Sequence, residues 1–564
     1  MSVTDNRVSA TKTTETTLVN APSKLRRLDE SSASGANKIV VEVVETKSAV
    51  DSLTLGFDLT PEALWKYASR ASDFTRSKEI KIEDESIEAI KRASAVVEDI
   101  VANKRQTYGI NTGFGFFANR VVSPEDLQRL QYNIIRSHCC GMEEILPRDL
   151  TLCMWLVNLN KLCQGHSGVR YQTIRSVLSH LKRGILADVP SRGSVGASGD
   201  LAPLAHATRA TIGEGNCSWP NRQGAIVRGS AKDALAYWEL KPVEYGPKEG
   251  LSLVNGTALS TALAIKAYNV GSKLLRWANL AAALTTDALG ASRSPFQSYT
   301  LRAHRHATTY SCGSQMREWL GERSDISDQH KEKSWIQDPY CVRCAPVVHG
   351  SVALALEQAR EVLVDEINAA TDNPLVFPEE GGIVANCGHF HAIYPARVSD
   401  SLASAFATLA CISERRTNQL MRAERGHLPT FLVREGGVNS GFMMIQVTAA
   451  ALASEAKTLT FPASADSIPT NVQKEDHVSM GPNAGYKALR VLELVRDVIA
   501  IELVCAAQAV DLLKPLRPAE KLEPVCERIR ELVPFFDEDR SIAEDVAAVA
   551  RDFTDGGFDR FIAG

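Results

Sequence analysis

Gly193-Ser194-Val195-Gly196-Ala197-Ser198-Gly199-Asp200-Leu201 is the stretch on which the rest of the chain turns. Glycine at 199 lets the backbone bend sharply and lets its own nitrogen approach the Ala197 carbonyl carbon closely. If the turn is that tight, ring closure and loss of two waters give a methylidene-imidazolone whose methylidene carbon comes from Ser198. Holding the reacting groups in one turn supplies the proximity that an intermolecular condensation lacks. Taken alone, the tripeptide Ala197-Ser198-Gly199 reads as a glycine-rich turn or a phosphate cradle. A phosphate loop, however, ends in Gly-Lys-Ser/Thr, whereas Gly199 is followed by the Asp200 carboxylate.

Working outward, Ile174, Val177, Leu178, Leu181 and Ile185 share one face of a helix that Pro190 stops just before the turn. That helix is expected to deliver the turn. Leu356, Ala359, Leu363 and Ile367 repeat the face until Asp372-Asn373-Pro374, and Leu489, Leu492, Val495 and Ile499 do so near the C-terminal end. Thr60-Pro61-Glu62 reads as a helix start, and Ile39 to Val44 as a short strand. Strand signals are otherwise few, so the fold class is mainly α: a long central helical bundle with a smaller mixed N-terminal unit carrying the turn. The expected division is a flexible, Ser/Thr-rich and charged tail over 1–38, a mixed domain over 39–249, and the long-helix bundle with a C-terminal helical region over 250–564.

At 564 residues the chain has ample core. A net charge of −4 with interspersed signs argues against nucleic acid or anionic membranes as partners and for a small-molecule site. Twelve scattered cysteines and a start, Met1-Ser2-Val3-Thr4-Asp5, unlike a secretory leader predict a reduced, cytoplasmic protein. Cys341-Val342-Arg343-Cys344 has no second such pair and reads as two core thiols on a turn. The apolar run from Val498 to Ala507 contains Glu502 and is bounded by Asp497 and Asp511, so it reads as a buried helix rather than a membrane span.

Four further segments carry chemistry. Tyr108-Gly109-Ile110-Asn111-Thr112-Gly113-Phe114-Gly115 is a glycine-punctuated loop. Gln337-Asp338-Pro339-Tyr340-Cys341-Val342-Arg343 gathers a carboxamide, a phenol and a guanidinium in one helix start, a spacing that suits one pocket. Lys248-Glu249-Gly250-Leu251-Ser252-Leu253-Val254-Asn255-Gly256-Thr257 and Glu475-Asp476-His477-Val478-Ser479-Met480-Gly481 complete the set. Together with the turn, these segments resemble the aromatic amino acid ammonia-lyase family from about Ser52 to Leu512, with Asp372-Asn373-Pro374-Leu375 and Gly436 to Phe442 as additional matches.

The resemblance implies a self-formed 4-methylidene-imidazol-5-one (MIO) at Ala197-Ser198-Gly199, with no metal or diffusible cofactor. It implies Tyr108 as the base for the substrate β-proton and Asn255 as the donor to the imidazolone oxygen. Arg343 then grips the substrate carboxylate, Gln337 lies near the ring, Tyr340 handles protons or binds, and Phe390 lies against the electrophile or the substrate. A phenol with a pKa of about 10 costs roughly 4 kcal/mol to ionise at pH 7, and Arg343 and the electrophile are candidates for stabilising it. The resemblance further implies a homotetramer whose sites draw on several subunits.

Ser137-His138 and Glu475 resemble the version found in histidine-processing members, since a carboxylate and an imidazole suit a ring bearing N–H groups and penalise phenyl. The expected reaction is loss of ammonia from L-histidine to give trans-urocanate. The rivals are a phenylalanine or tyrosine ammonia-lyase or aminomutase of the same family, and an inactive helical scaffold. Two departures stand out: His389 replaces the family's usual Asn, and Gln473-Lys474 replaces Asn-Gln ahead of Glu475, where the lysine is expected to point outward.

Overall fold

The Thr60 hydroxyl accepts the Ala63 N–H at 3.2 Å, so α1 (Pro61–Arg70) opens on the capping pattern that the sequence predicts. The computed structural model describes residues 52–70, 79–329, 336–422 and 427–562. The tail over 1–38 and the strand expected over 39–44 lie outside the described residues.

The N-terminal part is mixed. Strands β1 (Ser52–Leu55) and β2 (Glu79–Ile82) pair in parallel, and α2 (Asp84–Ala102) and α3 (Leu127–Ser137) follow. After β3 (Met142–Ile145) come α4 (Arg148–Cys163), buried on nearly every side, and α5 (Tyr171–Lys182). The predicted face of Ile174, Val177, Leu178 and Leu181 is buried in α5, but the helix stops at Lys182, short of Ile185. Gly184, at φ +67°, turns the chain there. Two short strands, β4 (Leu186–Ala187) and β5 (Pro190–Arg192), follow, so β5 rather than the helix delivers the glycine-rich turn. β5 pairs antiparallel with β3, while β4 joins β6 (Asn216–Pro220) and β7 (Ile226–Ser230) in a three-stranded sheet. Helices α6 (Leu201–Thr211), α7 (Ala231–Tyr237) and α8 (Glu249–Val254) complete this part.

Beyond it the chain is helical. The bundle consists of α9 (Ala258–Ala288), α14 (Ala345–Ile367), α15 (Ile393–Leu420), α16 (Met443–Thr458) and α17 (Gly481–Leu512). Flanking it are α10 (Ser298–Ala303), α11 (Ala307–Leu320), α12 (Asp325–Gln329) and α13 (Tyr340–Arg343), with the hairpin of β8 (Leu375–Phe377) and β9 (Ile383–Ala385) between α14 and α15. Helices α18 (Glu523–Leu532), α19 (Ala543–Asp555) and α20 (Asp559–Ile562) close the chain, with Trp277 of α9 stacked on Phe553 of α19 at 4.3 Å between centroids. No described helix is long and apolar enough to cross a membrane.

Glu502, the charge inside the apolar run, explains how four helices register. The Arg416 guanidinium of α15 donates to both its oxygens at 2.6 and 2.8 Å, and the Thr285 and Ser413 hydroxyls donate at 2.8 and 2.6 Å. Arg416 also meets His349 Nε2 of α14 at 3.2 Å, and His349 Nδ1 meets Asn279 Oδ1 of α9 at 2.7 Å. Burial holds the His349 pKa well below its usual value, so the ring is neutral: Nε2 accepts from Arg416 and Nδ1–H donates to Asn279. Removing one member leaves the other charge buried without compensation. Glu502→Gln is expected to cost about 3–5 kcal/mol of stability, read as a clear fall in urea midpoint; an unchanged midpoint would contradict this role.

Candidate active site

The glycine-rich turn is wedged among the N-termini of α6, α9 and α17. Gly199 has φ +75° and pairs with Gly256, and a Cβ there would sit 2.1 Å from the Gly256 carbonyl oxygen. Only glycine fits. A Cβ at Gly196 (φ +65°) would meet Ser479 Oγ at 2.2 Å. From the other side, the Met480 N–H donates to Val195 O at 2.8 Å and the Ser479 hydroxyl to Gly196 O at 3.0 Å. The Glu475 to Gly481 segment is therefore clamped onto the turn although it lies far along the sequence.

Asp200 fixes the exit of the turn. It is fully buried, accepts the Ser260 N–H and hydroxyl at 2.8 and 3.0 Å at the start of α9, and donates its own N–H to Gly256 O at 2.7 Å. Desolvation pushes its pKa up to about 6. Asn255 Nδ2 donates to the Ser198 carbonyl oxygen at 3.0 Å. Behind it, the buried Lys161 ammonium donates to the Asn255 and Ser252 carbonyls, each at 2.6 Å, and desolvation lowers its pKa to about 8. The Ser198 hydroxyl donates to Glu475 Oε1 at 2.7 Å.

Ser198, Asn255 and Glu475 face a cleft of about 1080 Å³, with Asp200 and Lys161 buried behind them. Of the sequence-predicted site residues, Tyr108, His138, Ala197, Ser198, Asn255, Phe390 and Glu475 line it, and Gly199, next in the chain to Ser198, is buried and does not. The Tyr108 oxygen accepts the Gly115 N–H at 3.4 Å. Its pKa is raised, chiefly by burial and further by the Glu475 carboxylate. His138 Nδ1 lies 2.7 Å from Ile134 O, and burial lowers its pKa, so the neutral ring donates from Nδ1 and carries its lone pair on Nε2. Ser137 does not line the cleft: its hydroxyl lies 3.0 Å from His138 Nδ1 and reaches Ile134 O.

Gln337, Tyr340 and Arg343, which their spacing put in one pocket with each other and the resemblance put at the substrate, do not line this cleft. They form a surface group of their own. Arg343 donates to Asp338 O at 2.7 Å and to Gln337 Oε1 at 3.2 Å, and its guanidinium lies 4.8 Å from the Tyr340 ring centre, with Tyr340 72% exposed. Among the described residues no hydrogen bond joins Arg343 to Tyr108. Of the departures, His389 is exposed and outside the cleft lining, whereas Lys474 lines the cleft but forms no ion pair with Glu475 among the described residues.

Three groups were not singled out from sequence. His391 and His477 line the cleft as a stacked pair, Nε2 to Nδ1 3.2 Å; both stood inside quoted motifs, which was the available signal. Lys161 reads as an ordinary helix lysine, and Thr470 carried no signal at all.

A sequence profile of aromatic amino acid lyases matches residues 59–531. The histidine ammonia-lyase of Vibrio cholerae is 41% identical over 83% of this chain and 90% of its own length. Among solved structures, the histidine ammonia-lyase of Trypanosoma cruzi is 37% identical, with a TM-score of 0.82, covering 91% of this chain and 95% of that one. The tyrosine aminomutase of Streptomyces globisporus is 31% identical, with a TM-score of 0.82, covering 91% and 98%. By both sequence and fold, the chain belongs to the aromatic amino acid lyase family.

Proposed function

We propose that this chain eliminates ammonia from L-histidine, giving trans-urocanate, with MIO formed from Ala197-Ser198-Gly199. The observation that carries the reading is that His138 and Glu475 line the same cleft as Ser198: a carboxylate and a neutral imidazole favour a ring with N–H groups and leave polar groups unsatisfied beside phenyl. The turn suits the prosthetic group, because Gly199 has no room for a side chain and Asn255 already donates to the Ser198 oxygen that becomes the ring carbonyl. When formed, the group supplies an electrophilic carbon that makes the amine a better leaving group.

The protein's own residues do the rest. Asn255 stabilises charge building on the Ser198 oxygen, Tyr108 takes the β-proton, and Phe390 supplies an apolar wall. Asn255→Ala is expected to lower kcat about 10²–10³-fold with the ring still present by intact mass; unchanged kcat would remove Asn255 from the machinery. Gln337, Tyr340 and Arg343, which do not line the cleft of their own chain, serve a neighbouring subunit's cleft in a homotetramer. The exposed Val347, Leu354, Tyr394, Met443, Met444 and Val447 on α14, α15 and α16 support that assembly.

Incubating the protein with histidine, phenylalanine and tyrosine tests the reading. Release of ammonia with a conjugated ultraviolet product from histidine is expected, whereas turnover of phenylalanine but not histidine would overturn it.

A further inference from the structure

Thr470 and Glu475 close on each other across a loop of four residues. The Thr470 N–H donates to Glu475 O at 3.0 Å and the Glu475 N–H to Thr470 O at 3.3 Å, as an isolated antiparallel bridge. Between them, Asn471, Val472 and Gln473 all take left-handed φ, at 49°, 53° and 63°. A β-branched valine is a rare occupant of that region, and three such residues in succession persist only where their surroundings over-determine them. The bridge at the base of the loop is such a constraint. The Thr470 hydroxyl then reaches the Glu475 side chain, donating to Oε2 at 2.6 Å, while Oε1 receives the Ser198 hydroxyl at 2.7 Å.

We propose that Thr470 is a positioning residue for substrate specificity: it holds Glu475 by one oxygen so that the other faces the cleft as an acceptor for a ring N–H. This rests on the reading above, in which the Ser198 hydroxyl oxygen leaves as water during ring formation, the Ser198 carbonyl oxygen staying on the ring, and Glu475 Oε1 loses its present donor. A carboxylate held at one oxygen cannot swing about its terminal torsion, so the free oxygen stays where an imidazole N–H arrives. Without Thr470 the carboxylate gains alternative orientations, and the binding of an N–H-bearing ring weakens in the ground and transition states alike, which raises KM more than it lowers kcat. A phenyl ring has no N–H to lose.

The test compares wild type, Thr470→Val, Thr470→Ser and Glu475→Gln on histidine and phenylalanine, with intact mass and melting temperature recorded for each. Thr470→Val keeps the side-chain volume and removes the donor. It is expected to lower kcat/KM for histidine about 10- to 100-fold, the scale of a hydrogen bond to a charged group, with most of the loss in KM. The histidine-to-phenylalanine ratio falls with it, and Thr470→Ser recovers most of the loss. The assignment is overturned if Thr470→Val matches wild type while Glu475→Gln is impaired, or if Thr470→Ser is as poor as Thr470→Val. It is equally overturned if Thr470→Val loses its fold or its two-water mass deficit, since Thr470 is then scaffold. Wild type that leaves histidine untouched instead sinks the parent reading, and the positioning role with it.

Discussion

Ser198→Ala is expected to lower histidine turnover by at least about 10³-fold while leaving the fold in place. Among the described residues the hydroxyl has one partner, Glu475 Oε1, so its removal costs a single partly buried hydrogen bond to a carboxylate, about 1.5–3 kcal/mol. What disappears is the only source of a methylidene carbon in the turn: alanine has no oxygen to lose. Intact mass separates the two consequences. Wild type should be two waters lighter than its encoded sequence, and the alanine variant should not show the full deficit. Wild type at the full encoded mass yet active on histidine would remove the electrophile from the mechanism and leave the activity to be explained some other way. Circular dichroism of the variant should match wild type, because Gly199, Asp200 and Asn255 still lock the turn between the starts of α6 and α9.

How much of this was legible beforehand divides along a physical line. Long helices showed because their apolar positions recur with a helical period, and Glu502 inside the most apolar of them marked a buried helix whose charge had to be partnered. Residues of the cleft were legible where a motif carried them. The sequence could not show which elements meet. The turn is delivered by β5 and not by α5, because a single left-handed glycine at 184 ends the helix early, and no periodicity encodes where a C-cap falls. Spacing placed Gln337, Tyr340 and Arg343 together, and they are together; it could not say that their cluster stays out of the cleft that Ser198 lines. Thr470 was invisible for a related reason: its contact with Glu475 depends on three consecutive left-handed residues that are not glycines, a conformation that propensity argues against.

Tyr108→Phe is expected to lower kcat about 10²–10⁴-fold with little change in stability, because among the described residues the phenol oxygen receives only the long Gly115 contact. The pH profile carries the finer test. A base must be deprotonated to act, and burial together with the nearby Glu475 charge raises the Tyr108 pKa above its ordinary value of about 10. Through the neutral range the ionised fraction therefore grows tenfold per pH unit, and log(kcat/KM) for wild type should climb with a contribution of about one per unit from this group. The phenylalanine variant loses that contribution, and any slope that survives belongs to the substrate's own amino group. Glu475→Gln removes the neighbouring negative charge, so the tyrosine's share of the rise should move to lower pH even as histidine binding weakens. A profile identical in wild type and Tyr108→Phe would mean that another group takes the β-proton, and the stacked His391 and His477 would be the next residues to test.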